Sequence, residues 1–136
     1  MLMRLQPMPA PGPVGADLSP DAHQPITDAA PLHEAVRGSA MFAPGSIRFD
    51  SDRLFTWRTP DGGQMGVNVI AGCVSLRMHA HWTHAAQLFD LARGLWPDLV
   101  LFDLQQGQMH DPASFQAAIE RNDREKAQRA AGAGDA

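Results

Sequence analysis

Three of the six histidines fall within the stretch His79-Ala80-His81-Trp82-Thr83-His84. Zinc is held by three or four converging nitrogen, sulfur or carboxylate ligands. On a strand, His79 and His81 would share one face, and His84 would lie in the first turn of a following helix. The three rings could then meet at a strand-to-helix junction, with His110 or water as a fourth ligand. The chemistry would be zinc binding, either structural or hydrolytic. The competing reading is three polar side chains at a sheet edge and a helix start, where a histidine can also make a pH-sensitive contact.

The His-x-His-x-x-His spacing resembles the first metal motif of metallo-β-lactamase-fold hydrolases. That family places Asp directly before the third His, where this chain has Thr83, and it draws further His and Asp ligands from far downstream, where only His110 follows. What the resemblance implies, a metal-dependent hydrolase, rests on this stretch alone.

Other chemistry is sparse, and no catalytic residue is assigned. No serine sits in a Gly-x-Ser-x-Gly elbow. Asp61-Gly62-Gly63 lacks the Gly-Lys-Ser/Thr of a phosphate loop. Cys73 is the only cysteine, which excludes an intrachain disulfide and reads as a small core residue. Asp98 is expected to cap the turn into a strand, and Asp111 to cap a helix. Asp103 lies inside an apolar run, so its carboxylate must be paired or sit at a strand end. Arg77 or Arg58 is the expected partner.

The elements that would position these groups are legible as patterns. Ser46–Phe49 and Leu54–Arg58 alternate polar and apolar residues, as half-buried strands do. Pro60-Asp61-Gly62-Gly63 is a turn: Pro presets one φ and Gly accepts a positive one. Met65–Met78 reads as one long strand or two short ones, with a break at Ile70-Ala71-Gly72. From Trp82 the period changes to three and four residues, the stripe of an amphipathic helix. Gly94 is expected as its left-handed cap, and Pro97 prevents continuation. Leu99–Leu104 reads as a strand buried on both faces, and Gln105-Gln106-Gly107 as a turn. Asp111 and Pro112 then open a last helix whose apolar face is Phe115, Ala118 and Ile119.

Seven of the eleven prolines lie in the first 31 residues. Residues 1–31 are therefore expected to be a flexible leader, residues 32–129 the folding unit, with a helical turn at Leu32–Val36, and residues 130–136 a frayed tail. The expected class is α+β: an antiparallel β-meander packed by one or two helices, with a Pro-rich N-terminal leader.

The net charge of −4 is spread along the chain, which argues against a nucleic-acid binder. No run is long and apolar enough to span a membrane, and no signal peptide is visible, so a cytoplasmic protein is expected. Trp57 and Phe55 sit in one strand, and one of them is expected to face out as a contact.

Phe102-Asp103-Leu104-Gln105-Gln106-Gly107, after a helix ending Leu-Trp-Pro-Asp, resembles a pattern in small bacterial immunity-type proteins and related families. These read Tyr/Phe-Asp-Pro-Gln-x-Gly, and Leu104 stands here in place of the Pro. The resemblance implies a cytoplasmic protein that binds and neutralises a partner toxin, or an accessory protein of a secretion system. It carries over no residue role.

The function expected is a non-enzymatic protein-binding module, an immunity or adaptor protein. Its contacts would be Trp57, Arg58 and Asp103 or an open sheet edge, with acidic groups at the rim steering a basic partner. The alternatives are a metal-binding protein or hydrolase at His79, His81 and His84, and a structural component of a phage or secretion assembly. An open edge would also allow self-association.

Overall fold

Period-two alternation builds the meander. In β4 (Ile47–Phe49), β5 (Leu54–Arg58), β6 (Gln64–Ile70) and β7 (Cys73–His79), every second residue turns to one side. Phe55, Trp57, Met65, Val67, Val69 and Val74 are buried there. Successive strands pair antiparallel, with Thr56 opposite Gly66 and Gly66 opposite Arg77. The expected break at Ile70–Gly72 is a two-residue hairpin turn, in which Ala71 and Gly72 both have positive φ (55° and 77°).

The computed structural model describes residues 1–5, 11–13 and 23–134. Among them the sheet has nine strands. The others are β1 (Leu2–Leu5), β2 (Gly12–Pro13), β3 (His23–Gln24), β8 (Leu99–Asp103) and β9 (Gln108–His110). The order is β2-β9-β8-β1-β7-β6-β5-β4, with β3 also on β1, and every pairing is antiparallel. The helices are α1 (Ala30–Gly38), α2 (Trp82–Leu95) and α3 (Pro112–Gly134). Their apolar residues Leu32, Val36, Ala85, Leu88, Phe89, Ala92, Phe115 and Ile119 join the inward strand residues in one core. The α+β class and the antiparallel meander are thus observed, with three helices rather than one or two. None of these helices is long and apolar enough to cross a membrane.

The leader departs from expectation. Residues 2–5 form a strand inside the sheet, paired with β8 on one side and with β7 and β3 on the other. Leu2 is fully buried, and the Arg4 guanidinium grips the Asp98 carboxylate with two hydrogen bonds of 2.8 and 3.1 Å. Asp98 therefore anchors an ion pair rather than a turn. Most of the Pro-rich stretch, residues 6–10 and 14–22, lies outside the described residues.

Three smaller differences have clear causes. Gly94 is helical, because α2 continues to Leu95 and the Trp96 N–H still reaches Ala92 O at 2.9 Å. β9 escaped notice because three residues are too few to show a period. Residues 130–134, expected to fray, continue α3; Glu120–Gly132 is exposed throughout. There, Glu120 and Arg124, Arg121 and Glu125, and Glu125 and Arg129 are spaced i to i+4, a pattern that supports a solvated helix. As expected, Asp111 caps α3, its Oδ1 accepting from Ser114 N at 2.7 Å.

Leu2→Ala removes a side chain buried between β7, β8 and the helices. It is expected to lower the unfolding free energy by about 3 kcal/mol, measured by urea denaturation. A loss below about 1 kcal/mol would show that β1 does not carry the packing described.

Candidate functional site

The histidine cluster does not converge. The chain turns from strand to helix between His79 and Trp82, and the three rings part company. His79 ends β7 on the outward side, opposite Gln64, and is exposed. His81 caps α2: its Nδ1 accepts from Thr83 N at 3.2 Å, and its Nε2 contacts both Asp123 oxygens at 2.9 and 3.1 Å. His84 falls in the buried stripe of α2, its ring 5.2 Å from and edge-on to Trp57. Among the described residues no group of three or more His, Cys, Asp or Glu could hold a metal ion. The expected zinc site at His79, His81 and His84 is corrected accordingly.

The same region is a structural knot around Asp61. Its carboxylate accepts hydrogen bonds from the Thr59 hydroxyl, from Gly63 N at 3.3 Å and from His81 N at 3.2 Å, and lies 3.5 Å from His84 Nε2. The Thr59 hydroxyl, and then the His81 N–H, hold its pKa down, from 3.8 to about 2. The knot ties the β5–β6 turn to the start of α2, and His81 carries the tie on to α3. Gly63 is required here: a Cβ would collide with the His79 carbonyl and come within 2.7 Å of Ala80 Cβ.

Trp57 is 2% exposed and packs edge-on against Phe42 and His84. Residues two apart on a strand share a face, so Trp57 and Phe55 both point inward. Trp57 is therefore a core residue, and the outward-facing aromatic expected of this strand is not found at Phe55 or Trp57. Asp103 is also withdrawn, at 9% exposure. Its partners are backbone rather than arginine, Oδ1 accepting from Gln105 N at 3.1 Å and Gln106 N at 3.3 Å.

Asp103 stands between two adjoining cavities. One, of about 460 Å³, lies between α3 and the β8–β9 hairpin, and His81, Trp82, Gln108, His110, Phe115 and Arg121 are among its walls. The other, of about 350 Å³, is more apolar and includes Leu76, Met78 and Leu101. Trp82, Asp103 and Phe115 belong to both. His110 Nδ1 lies 2.9 Å from Ser114 Oγ, and burial lowers the His110 pKa. A Ser–His pair suggests a nucleophile, but Ser114 serves the start of α3. Its N–H is held by Asp111 Oδ1, and its hydroxyl lies 3.3 Å from Asp111 O.

Arg58 has a setting that the sequence reading missed. It lies on the sheet face away from the helices, in a row with Gln64 and His79. The neighbouring row runs Arg48, Thr56, Gly66, Arg77. All three arginines are exposed, the Arg48 side chain at 77%. With strands about 4.8 Å apart, the Arg58 and Arg77 backbones are on the order of 12 Å apart. Asp50 is the acid at this face, and it is engaged by Arg48 Nε at 2.6 Å and the Thr56 hydroxyl at 2.9 Å. The signal for the face was present. Strand parity across two recognisable hairpins places residues 58 and 77 on one side.

Asp61 predicts an acid dependence. Its folded pKa lies below its unfolded value, so its contribution is fully present above 3.8 and is lost as pH falls toward 2. Asp61→Asn should lower stability at neutral pH and leave a shallower loss between about pH 4 and 2, read as urea midpoints. Parallel pH profiles for the two proteins would remove the knot from the account.

With this geometry in hand, comparison with family models, with curated proteins and with solved structures finds nothing that matches the chain.

Proposed function

We propose that this chain is a non-enzymatic protein-binding module whose open sheet face takes an acidic segment of another protein. One observation carries the reading. Arg48, Arg58 and Arg77, scattered in sequence, stand exposed on one sheet face with His79, while the helices pack on the other face. Between Arg48 and Arg77 lie Thr56 and Gly66, small residues that leave the arginines standing above a low surface. Guanidinium groups suit carboxylates because they pair with both oxygens at once.

This reverses the sign expected of the partner. The chain is acidic overall, but this face is not, and local charge steers an encounter. A protein ligand is favoured over nucleic acid for two reasons. The net charge of −4 opposes a phosphate backbone, and Phe55 and Trp57 point inward, so neither is offered to a stacked base. The β4 edge is a poorer docking place. It is three residues long and carries the Arg48–Asp50 ion pair, and short charged edges discourage strand addition. Within this reading, an immunity or adaptor role is the form suggested by the resemblance at Phe102–Gly107.

The test uses a fluorescent oligoglutamate peptide and single-stranded DNA of matched charge, followed by anisotropy at low salt. The peptide should bind saturably, and the Arg58→Glu, Arg77→Glu double variant should weaken it by about tenfold or more with an unchanged melting temperature. Equal binding by the variant, or tighter binding of the DNA, would overturn the assignment.

A further inference from the structure

We propose that the cleft between α3 and the β8–β9 hairpin is a separate binding site for a flat, amino-substituted heteroaromatic molecule. Its volume of about 460 Å³ falls within the range of roughly 300–1,000 Å³ typical of small-molecule sites. It opens onto the second cavity at Trp82, Asp103 and Phe115.

The cleft has a stacking wall and a polar edge. Trp82 is half-buried and lines both cavities, with Phe115 behind it at a ring-centroid distance of 5.7 Å. A flat ring entering the cleft meets the Trp82 indole, and aromatic pairs favour offset contact of this kind. Asp103 supplies the edge. Its Oδ1 is occupied by the Gln105 and Gln106 N–H groups, and its Oδ2 accepts no hydrogen bond from the described residues. A carboxylate oxygen without a protein partner can accept from an N–H donor on a ligand in the cleft. His110 stands beside it, with Nδ1 committed to Ser114 Oγ and Nε2 left for the cleft. Burial lowers the His110 pKa, which favours the neutral ring. The Gln106 and Gln108 amides line the same wall.

The charges narrow the class further. Asp103 lies across the cleft from Arg121, Glu125 and Lys126 of α3, the Met1 ammonium also acts on Asp103, and Asp123 is engaged by His81. No excess of positive charge is present to hold an anion. A neutral ring bearing amino groups satisfies Asp103 without leaving a charge unpaired. This site lies on the helix side of the sheet, away from the basic face, so it stands or falls apart from the protein-binding reading.

The probe is 2-aminopurine, whose fluorescence is quenched when it stacks on an aromatic ring. Titration with the full chain should give saturable quenching. Asp103→Asn keeps one oxygen for the two backbone N–H groups and replaces the free acceptor with a donor. It should weaken binding by about tenfold or more, because a site built for a hydrogen bond rejects a mismatched one. Competition in the unaltered protein needs no variant: unsubstituted purine should displace the probe less well than guanine does. Absence of saturable quenching up to millimolar probe, unchanged affinity in Asp103→Asn, or equal displacement by the two purines would each overturn the site.

Discussion

The rest of the structure depends on the place of β1. Among the described strands β7 and β8 do not pair with one another; each pairs with Leu2–Leu5. Without that strand the meander β4–β7 and the pair β8–β9 would be two sheets, each with a raw edge toward the other. Leu2 lies opposite both Val74 and Leu101 and brings the two halves under one layer of helices. Full burial of such a side chain contributes about 2 kcal/mol. The Arg4–Asp98 pair then fixes the register at the start of β8 with a two-pronged, charge-assisted contact.

That join places the two proposed sites on opposite sides of one sheet. The basic face belongs to the meander. The cleft belongs to β8, β9 and α3, and its Asp103 ends the strand that β1 holds in place. Between them runs the Asp61 knot, which links the β5–β6 turn to the start of α2, and through the His81–Asp123 contact to α3. The knot uses the most chemically suggestive residues of the chain for architecture. His81 and His84 are engaged by Asp123, Asp61 and Gln87, and none of those contacts requires a metal.

Elements with a period or a punctuation mark were legible in the sequence. Leu54–Arg58 is read with its observed bounds because five alternating residues suffice, and Asp111-Pro112 marks the start of α3 by its own chemistry. β1 was hidden because four residues before a run of prolines carry no period, and their burial comes wholly from strands distant in sequence. Trp57 was misjudged through parity: two residues apart means the same face, so it follows Phe55 into the core. His84 belongs to the stripe of Ala85, Leu88, Phe89 and Ala92, and that membership outweighs its proximity to His79 and His81. Asp103 was rightly singled out as a buried carboxylate. Its partners could not be read, because they are backbone N–H groups of the turn that follows it.

The cleft requires the two halves of the sheet to behave as one unit. Native-state hydrogen exchange tests this most directly, since it reports the opening free energy of each strand separately. The account predicts that amides in β1 and β8 exchange only through global unfolding, at the same free energy as the β5–β6–β7 ladder. Earlier exchange of β1 and β8, with the meander still protected, would contradict it. The molecule would then be a stable meander with a loosely attached hairpin, and the cleft would lose its wall.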